Sequence, residues 1–273
     1  MSLGIVIKGP EGIVLAAESR VTLTATLPGA SPLHVSFDNA SKLLSFSHPN
    51  ATIGAVTYGQ AAIGLRSAHS FASEFEGTLP QDRLTVHDFA ARLSDFFLSQ
   101  WQATMAAAYD GPNMTFVVAG FNENEPYGRV YSVDIPRSPA PLEQSATPDF
   151  GITWGGQREL VDRLIQGYDF RLPDIAAATL GLKPDQKQAL VAALAPLQMA
   201  LPLAAMPLQD CVDLALFFIR TTISAQRLTV GIRGCGGPID AATITRREGL
   251  TFVQRKGIVG EYGRAEEPGG RRI

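Results

Sequence analysis

"MSLGIVIKGPEGIVLAAESR" (Met1–Arg20) sets two apolar runs on either side of the turn Gly9-Pro10-Glu11-Gly12, the second ending on Ala17, Glu18, Ser19 and Arg20. Short apolar and β-branched runs bounded by Gly and Pro read as strands, so the stretch predicts a β-hairpin starting almost at the initiator methionine. Trimming of Met1 before a small residue would leave Ser2 as the first residue, directly on the first strand. No basic region, apolar core and small-residue cleavage site precede the hairpin, so no export signal is read.

Outward from the hairpin, "SFDNASKLLSFS" (36–47) and "NATIGAVTYG" (50–59) carry further short runs punctuated by Asn, Asp and Gly, which predicts four strands in succession forming one sheet. Ile63, Leu65, Phe71 and Phe75 fall at helical spacing and predict a helix over 61–76. Phe89, Leu93, Phe96, Phe97 and Trp101 repeat that spacing over 85–105. "MTFVVAGFNENEPYGRVYSVDIP" (114–136) reads as two strands about an Asn-Glu-Asn-Glu-Pro turn, and "FGITWGG" (150–156) as a strand feeding the helix "QRELVDRLIQGYDF". "LQDCVDLALFFIRTTISAQ" (208–226) is an amphipathic helix, and "GGPIDAATITRREGLTFVQRKG" (236–257) a closing hairpin.

Strands, two helices, strands, two helices and a last hairpin predict an α+β fold, a four-layer α/β/β/α sandwich of two antiparallel sheets with helices outside. One domain is expected over 1–260. A helical insert interrupts it at about 172–207, where Pro184, Pro196 and Pro202 break an Ala- and Leu-rich run. The insert reads either as a surface ornament or as a contact with a neighbouring subunit or cover over a cleft. Residues 261–273, rich in Gly, Glu and Arg, read as a disordered tail.

Composition narrows the function classes. The 273 residues are 45% hydrophobic and 18% charged, enough for a core, and the net charge of −3 provides no basic stripe for nucleic acid or an anionic membrane. Cys211 and Cys235 are the only cysteines, too few for a disulfide framework or a four-thiolate zinc site, and a cytoplasmic location is the simpler inference. No apolar stretch is long enough to span a bilayer. His34, His48, His69 and His87 lack ligand spacing, so neither a metal nor a cofactor is implied.

Five blocks in order carry a family likeness: Ser2 with Glu18 sixteen residues on, "AAESRVT" (16–22), "SKLLSF" (41–46), "GAVTYG" (54–59), and the phrases "YSVD" and "IDAATIT". With these the chain resembles a proteasome-type β-subunit of the N-terminal nucleophile hydrolases, bacterial proteasome-like proteins included. The resemblance implies that Ser2 stands where the family has its threonine nucleophile, that Glu18 and Lys42 are its acidic residue and lysine, and that Gly59 is its oxyanion-hole glycine. It also implies substrate contacts from Val21, Thr22, Thr57 and Ala61, with a roomy apolar pocket, and a peptide or protein substrate. The subunits would form a homo-oligomeric ring; an ATP-dependent unfoldase partner has no support in the sequence. Two departures stand out. The family's supporting serine is replaced around Trp154 and Gly155, and its aspartate before the Gly-Gly turn falls near Ile232 or Arg233.

A serine hydroxyl needs a base within hydrogen-bond reach. A freed α-amino group, with an ordinary pKa of about 7.7 to 8.0, is such a base on the nucleophile's own residue. Lys42 would lower the cost of the alkoxide and Glu18 would hold the lysine charged and oriented. The alternative readings are that Glu18 and Lys42 form an ordinary surface ion pair and that Gly59 simply turns the chain. Cys235 in "GCGG" has no histidine near it in sequence and reads as a small buried thiol. Two functions remain: a peptide or amide hydrolase acting through Ser2, or a catalytically silent structural or binding ring subunit. The aromatic bulk of the second helix, beyond what one core face absorbs, favours self-association in both.

Overall fold

The computed structural model describes residues 2–25, 33–146, 148–231 and 233–260, without the side chains of residues 24, 25, 33 and 34. Met1, Ile232 and the tail 261–273, on which three sequence expectations fall, lie outside the described residues.

The opening hairpin is β1 (Leu3–Lys8) and β2 (Ile13–Glu18), buried at every position. A ribbon, β3 (Val21–Ala25) and β4 (Leu33–Phe37), leads into β5 (Leu43–Ser45) and β6 (Ile53–Gly59). Two-residue strands β7 (Ala62–Ile63) and β8 (Arg66–Ser67), a 3-10 turn over Ala68–Phe71 and the short helix α1 (Ala72–Glu76) follow. Helix α2 (Val86–Thr104) comes next, with the Thr85 hydroxyl accepting from the Asp88 N–H as its N-cap. Strands β9 (Met114–Gly120), β10 (Arg129–Ile135), β11 (Ser138–Glu143) and β12 (Gly151–Gly156) then precede α3 (Glu159–Gln166). The insert is α4 (Leu172–Leu180) and α5 (Pro184–Leu194), and the chain closes with α6 (Leu208–Leu228), β13 (Ile239–Thr245) and β14 (Gly249–Gln254).

These strands make two five-stranded antiparallel sheets, ordered β12-β1-β2-β13-β14 and β11-β10-β9-β6-β5, so the fold is α+β. The four early strands do not share a sheet: β1 and β2 belong to the first, β5 and β6 to the second. The reason is burial on both faces. Ile5, Ile7, Val14 and Ala16 pack against Cys211, Ala215 and Phe218 of α6, while Val6, Leu15 and Ala17 meet Val56 and Val117 of the other sheet. Alternating residues of β1 and β2 thus serve two cores, which is why the run shows no polar alternation.

The expected helix over 61–76 is only partly formed. Gly64 at φ +58° turns the chain, Leu65 is fully exposed, and the helix starts after Phe71. The aromatic bulk of α2 is also absorbed within the chain. Phe89, Phe97 and Trp101 are buried with Phe46, Phe71, Phe75 and Phe116, and Phe96 packs against the same cluster, with edge-to-face pairs such as Phe75–Phe89 at 5.4 Å. That bulk therefore gives no argument for association. The insert does leave Ile175, Leu180, Val191 and Leu197 exposed. Among the described residues no helix is long and apolar enough to cross a membrane.

Candidate active site

β2 ends on Glu18, where strand pairing brings it beside Ile239 of β13 and, through β1, beneath the N-terminal residues. A carboxylate buried to 1% exposure needs its lone pairs filled. Among the described residues Glu18 has four donors. Oε1 accepts from the Leu3 N–H at 3.1 Å and from Lys42 Nζ. Oε2 accepts from the Arg20 N–H at 2.7 Å and the Gly236 N–H at 3.0 Å.

Lys42 enters from the second sheet, its carbonyl accepting from the Thr57 N–H of β6 at 2.9 Å. Its ammonium also donates to the Arg20 carbonyl at 2.5 Å. Burial pushes the Lys42 ammonium below its ordinary range and the Glu18 carboxylate opposes that shift. The reading of this pair as an ordinary surface contact is excluded, because the side chains are 5% and 0% exposed. Arg20 turns the other way and grips Asp38 through two bonds of 2.6 and 2.7 Å, which hold the Asp38 carboxyl below the usual carboxylate range.

Ser2 is 2% exposed and its carbonyl accepts from the Gln157 N–H at 2.6 Å. It lines a small cleft with Lys42, Val21, Thr57 and Ala61. Four of the residues singled out in the sequence for substrate contact or catalysis therefore converge with Ser2. The cleft adds Ser41, Tyr58, Gln60 and Ser67, which sequence reasoning missed. Ala40 and Ala68 complete the lining, and its exposed surface is mostly apolar. Thr57 Oγ1 is buried there with no hydrogen-bond partner among the described residues.

Three predicted residues stand apart from the cleft wall. Glu18 is joined to it through Lys42. Thr22 bonds Ser36 across the ribbon, Oγ1 to Oγ at 3.1 Å. Gly59 ends β6 at φ +87°, where a Cβ would lie 2.1 Å from the Asn113 carbonyl oxygen; glycine is required there for backbone reasons alone.

The structure also accounts for the missing serine near Trp154. Gly156 sits at φ +90° opposite Leu3, and a Cβ on it would lie 1.8 Å from the Ser2 carbonyl oxygen. A Cβ on Gly155 would fall 2.3 Å from the Tyr58 ring. Neither position admits a side chain. Trp154 instead packs on the core shared with α6, Nε1 donating to the buried Asp162 at 2.8 Å. Cys235 is 1% exposed, and burial, aided by the Glu18 carboxylate, pushes its thiol pKa up, away from the thiolate a nucleophile needs.

No known family profile matches the chain, and no curated protein does. Among solved structures it is similar to an Anbu (Gly-1) mutant from Hyphomicrobium sp. strain MC1, at 14% identity and TM-score 0.55 over 97% of this chain and 91% of that one. It is also similar to the Anbu complex of Pseudomonas aeruginosa, solved as a helical assembly, at 17% identity and TM-score 0.58 over 96% and 90%. These likenesses concern the fold alone. They correct the resemblance drawn from the motifs: the neighbours found are Anbu proteins, themselves proteasome-like, and membership of the proteasome-type β-subunits is not carried by them.

Proposed function

We propose that the chain is an amide or peptide hydrolase that uses Ser2, freed by removal of Met1, as an N-terminal nucleophile on a four-layer α/β/β/α scaffold. The observation that carries the reading is the buried Glu18–Lys42 pair, whose carboxylate also receives the Leu3 N–H, so that the charge pair and the start of the chain are locked together. A buried pair of this kind is a costly way to gain stability. Beside a cleft lined by a serine, it has a chemical use.

In this reading the α-amino group of Ser2 takes the hydroxyl proton as Oγ attacks the carbonyl. The Lys42 ammonium, oriented by Glu18 and the Arg20 carbonyl, stabilises the oxyanion character of the serine. Gly59, between cleft-lining Tyr58 and Gln60 in the chain, supplies a backbone N–H to the tetrahedral intermediate, a contact worth about 10²- to 10³-fold. The amine then returns its proton to the leaving nitrogen, and water resolves the acyl-enzyme. Thr57, Val21 and Ala61 frame the substrate side chain, and Thr22 contributes main chain.

The second reading, a silent structural or binding subunit, draws on the near-complete burial of Ser2. A serine- or threonine-directed covalent inhibitor separates the two: adduct formation that Ser2→Ala abolishes supports hydrolysis, and an unreactive wild-type chain supports the silent subunit. In both, copies associate into a ring or an open array in the cytoplasm; the exposed apolar residues of α4 and α5 and the helical assembly of the Pseudomonas aeruginosa neighbour support association. A head-to-tail contact that does not close gives an open array.

A further inference from the structure

We infer that Gln226, in the last turn of α6, is a positioning residue that ties together the two loops flanking Ser2 and Glu18. The inference rests on the Ser2 reading and follows a continuous set of hydrogen bonds. The Gln157 N–H, just after β12, donates to the Ser2 carbonyl at 2.6 Å. The Gln157 side-chain Oε1 accepts from Gln226 Nε2 at 3.1 Å, and Gln226 Oε1 accepts from the Cys235 N–H at 2.8 Å. The next peptide N–H, that of Gly236, donates to Glu18 Oε2 at 3.0 Å, while the Gly236 carbonyl accepts from the Ser19 N–H at 3.0 Å. Glu18 then holds Lys42 and the Leu3 N–H, which returns the path to Ser2.

The chemistry fixes every orientation in this path. A backbone N–H can only donate, so Cys235 sets which end of the Gln226 amide faces it. The NH₂ end is thereby presented to Gln157, whose side-chain oxygen must accept. Gln226 is the one side chain of α6 that touches both loops among the hydrogen bonds described, and it is half-buried, where a lost partner matters more than at the surface. One loop carries the donor to the nucleophile's carbonyl and the other carries a donor to the acid that holds the lysine. Their spacing is set by one amide.

The test uses the full-length chain and two independent readouts. Hydrogen exchange followed by mass spectrometry at peptides covering Gln157 and Cys235–Gly236 reads the bridge itself. Gln226→Met, which keeps the volume and loses both bonds, is expected to raise exchange at both loops at least about tenfold, with exchange in the middle of α6 unchanged. The pseudo-first-order rate of Ser2 modification by a covalent serine-directed inhibitor reads the consequence. Misplacement of about 1 Å costs up to about 10²-fold, so Gln226→Met lowers the maximal rate about 10- to 100-fold while the half-saturating inhibitor concentration stays within twofold. Gln226→Glu, which keeps the acceptor for Cys235, recovers part of that rate. Gln157→Met with Gln226→Met is no slower than the worse single variant, since both remove one path. Unchanged exchange at both loops in Gln226→Met, or additive losses in the double variant, overturns the inference. A wild-type chain that the inhibitor does not modify sinks the Ser2 reading instead, and the exchange data still decide whether Gln226 holds the loops.

Discussion

Replacing Gly156 with alanine tests how closely the strand end after β12 is fitted to the nucleophile. The new Cβ would lie 1.8 Å from the Ser2 carbonyl oxygen, and such contacts do not occur below 3.0 Å, so the two must part by more than about 1 Å. The backbone cannot escape by rotating, because φ is +90° and the Leu3–Gly156 pairing holds the strand. Alanine in left-handed geometry costs about 1–2 kcal/mol. Opening the gap also weakens the 2.6 Å Gln157–Ser2 bond, worth about 0.5–1.5 kcal/mol. A loss of about 2–3 kcal/mol lowers Tm by roughly 5–10 °C in a chain of this size. The displacement falls on the nucleophile itself, so Ser2 modification slows about 10²-fold, far more than the stability change implies at a temperature where the variant is folded. Calorimetry and inhibitor kinetics on Gly156→Ala measure both. Wild-type Tm and a modification rate within twofold of wild type would refute the fit.

Lys42→Met leaves the Glu18 carboxylate buried against backbone donors alone and should cost about 3–5 kcal/mol in denaturant unfolding, a loss that Glu18→Gln in the same chain partly reverses. Gly59→Ala should destabilise by at least about 1–2 kcal/mol, since its Cβ would meet the Asn113 carbonyl oxygen at 2.1 Å; urea melts check this. The buried Cys235 thiol has its pKa raised above the ordinary 9.0. Its contribution is full below pH 9 and is lost as pH rises beyond it, because only the unfolded chain then gives up the proton. The stability difference between wild type and Cys235→Ala should therefore shift against the wild type by about 1.4 kcal/mol per pH unit above pH 9. Light scattering at micromolar concentration should give a multiple of the 29.2 kDa chain mass; a single-chain mass contradicts association.

The features written in short stretches of chain were the legible ones. Val21, Thr57 and Ala61 came with the resemblance, and all three line the cleft. Glu18 and Lys42 also came with the resemblance, and they meet because the second sheet carries Lys42 to the end of β2 in the first. What stayed hidden depends on sequence-distant neighbours. Ser41, Tyr58, Gln60 and Ser67 converge only once β6 and the β7–β8 turn are in place, and nothing in their spacing marks them. Gln226 looks like one more polar residue at the frayed end of a helix, since its two partners are 69 and 9 residues away. The sheet membership of the early strands was misjudged because apolar content reports burial and is silent on which sheet does the burying. Two prolines, Pro139 and Pro141, concealed β11, which lies at an edge where missing N–H groups are tolerated.

The most direct measurement is peptide mapping by mass spectrometry of the purified chain after exposure to a serine- or threonine-directed covalent inhibitor. An N-terminal peptide that begins at Ser2 and carries the adduct on Ser2 is expected, forming faster as pH rises through about 7.7 to 8.0, the ordinary range in which an α-amino group loses its proton. An N-terminal peptide that retains Met1, or a chain lacking Met1 that remains unmodified at Ser2, would contradict it.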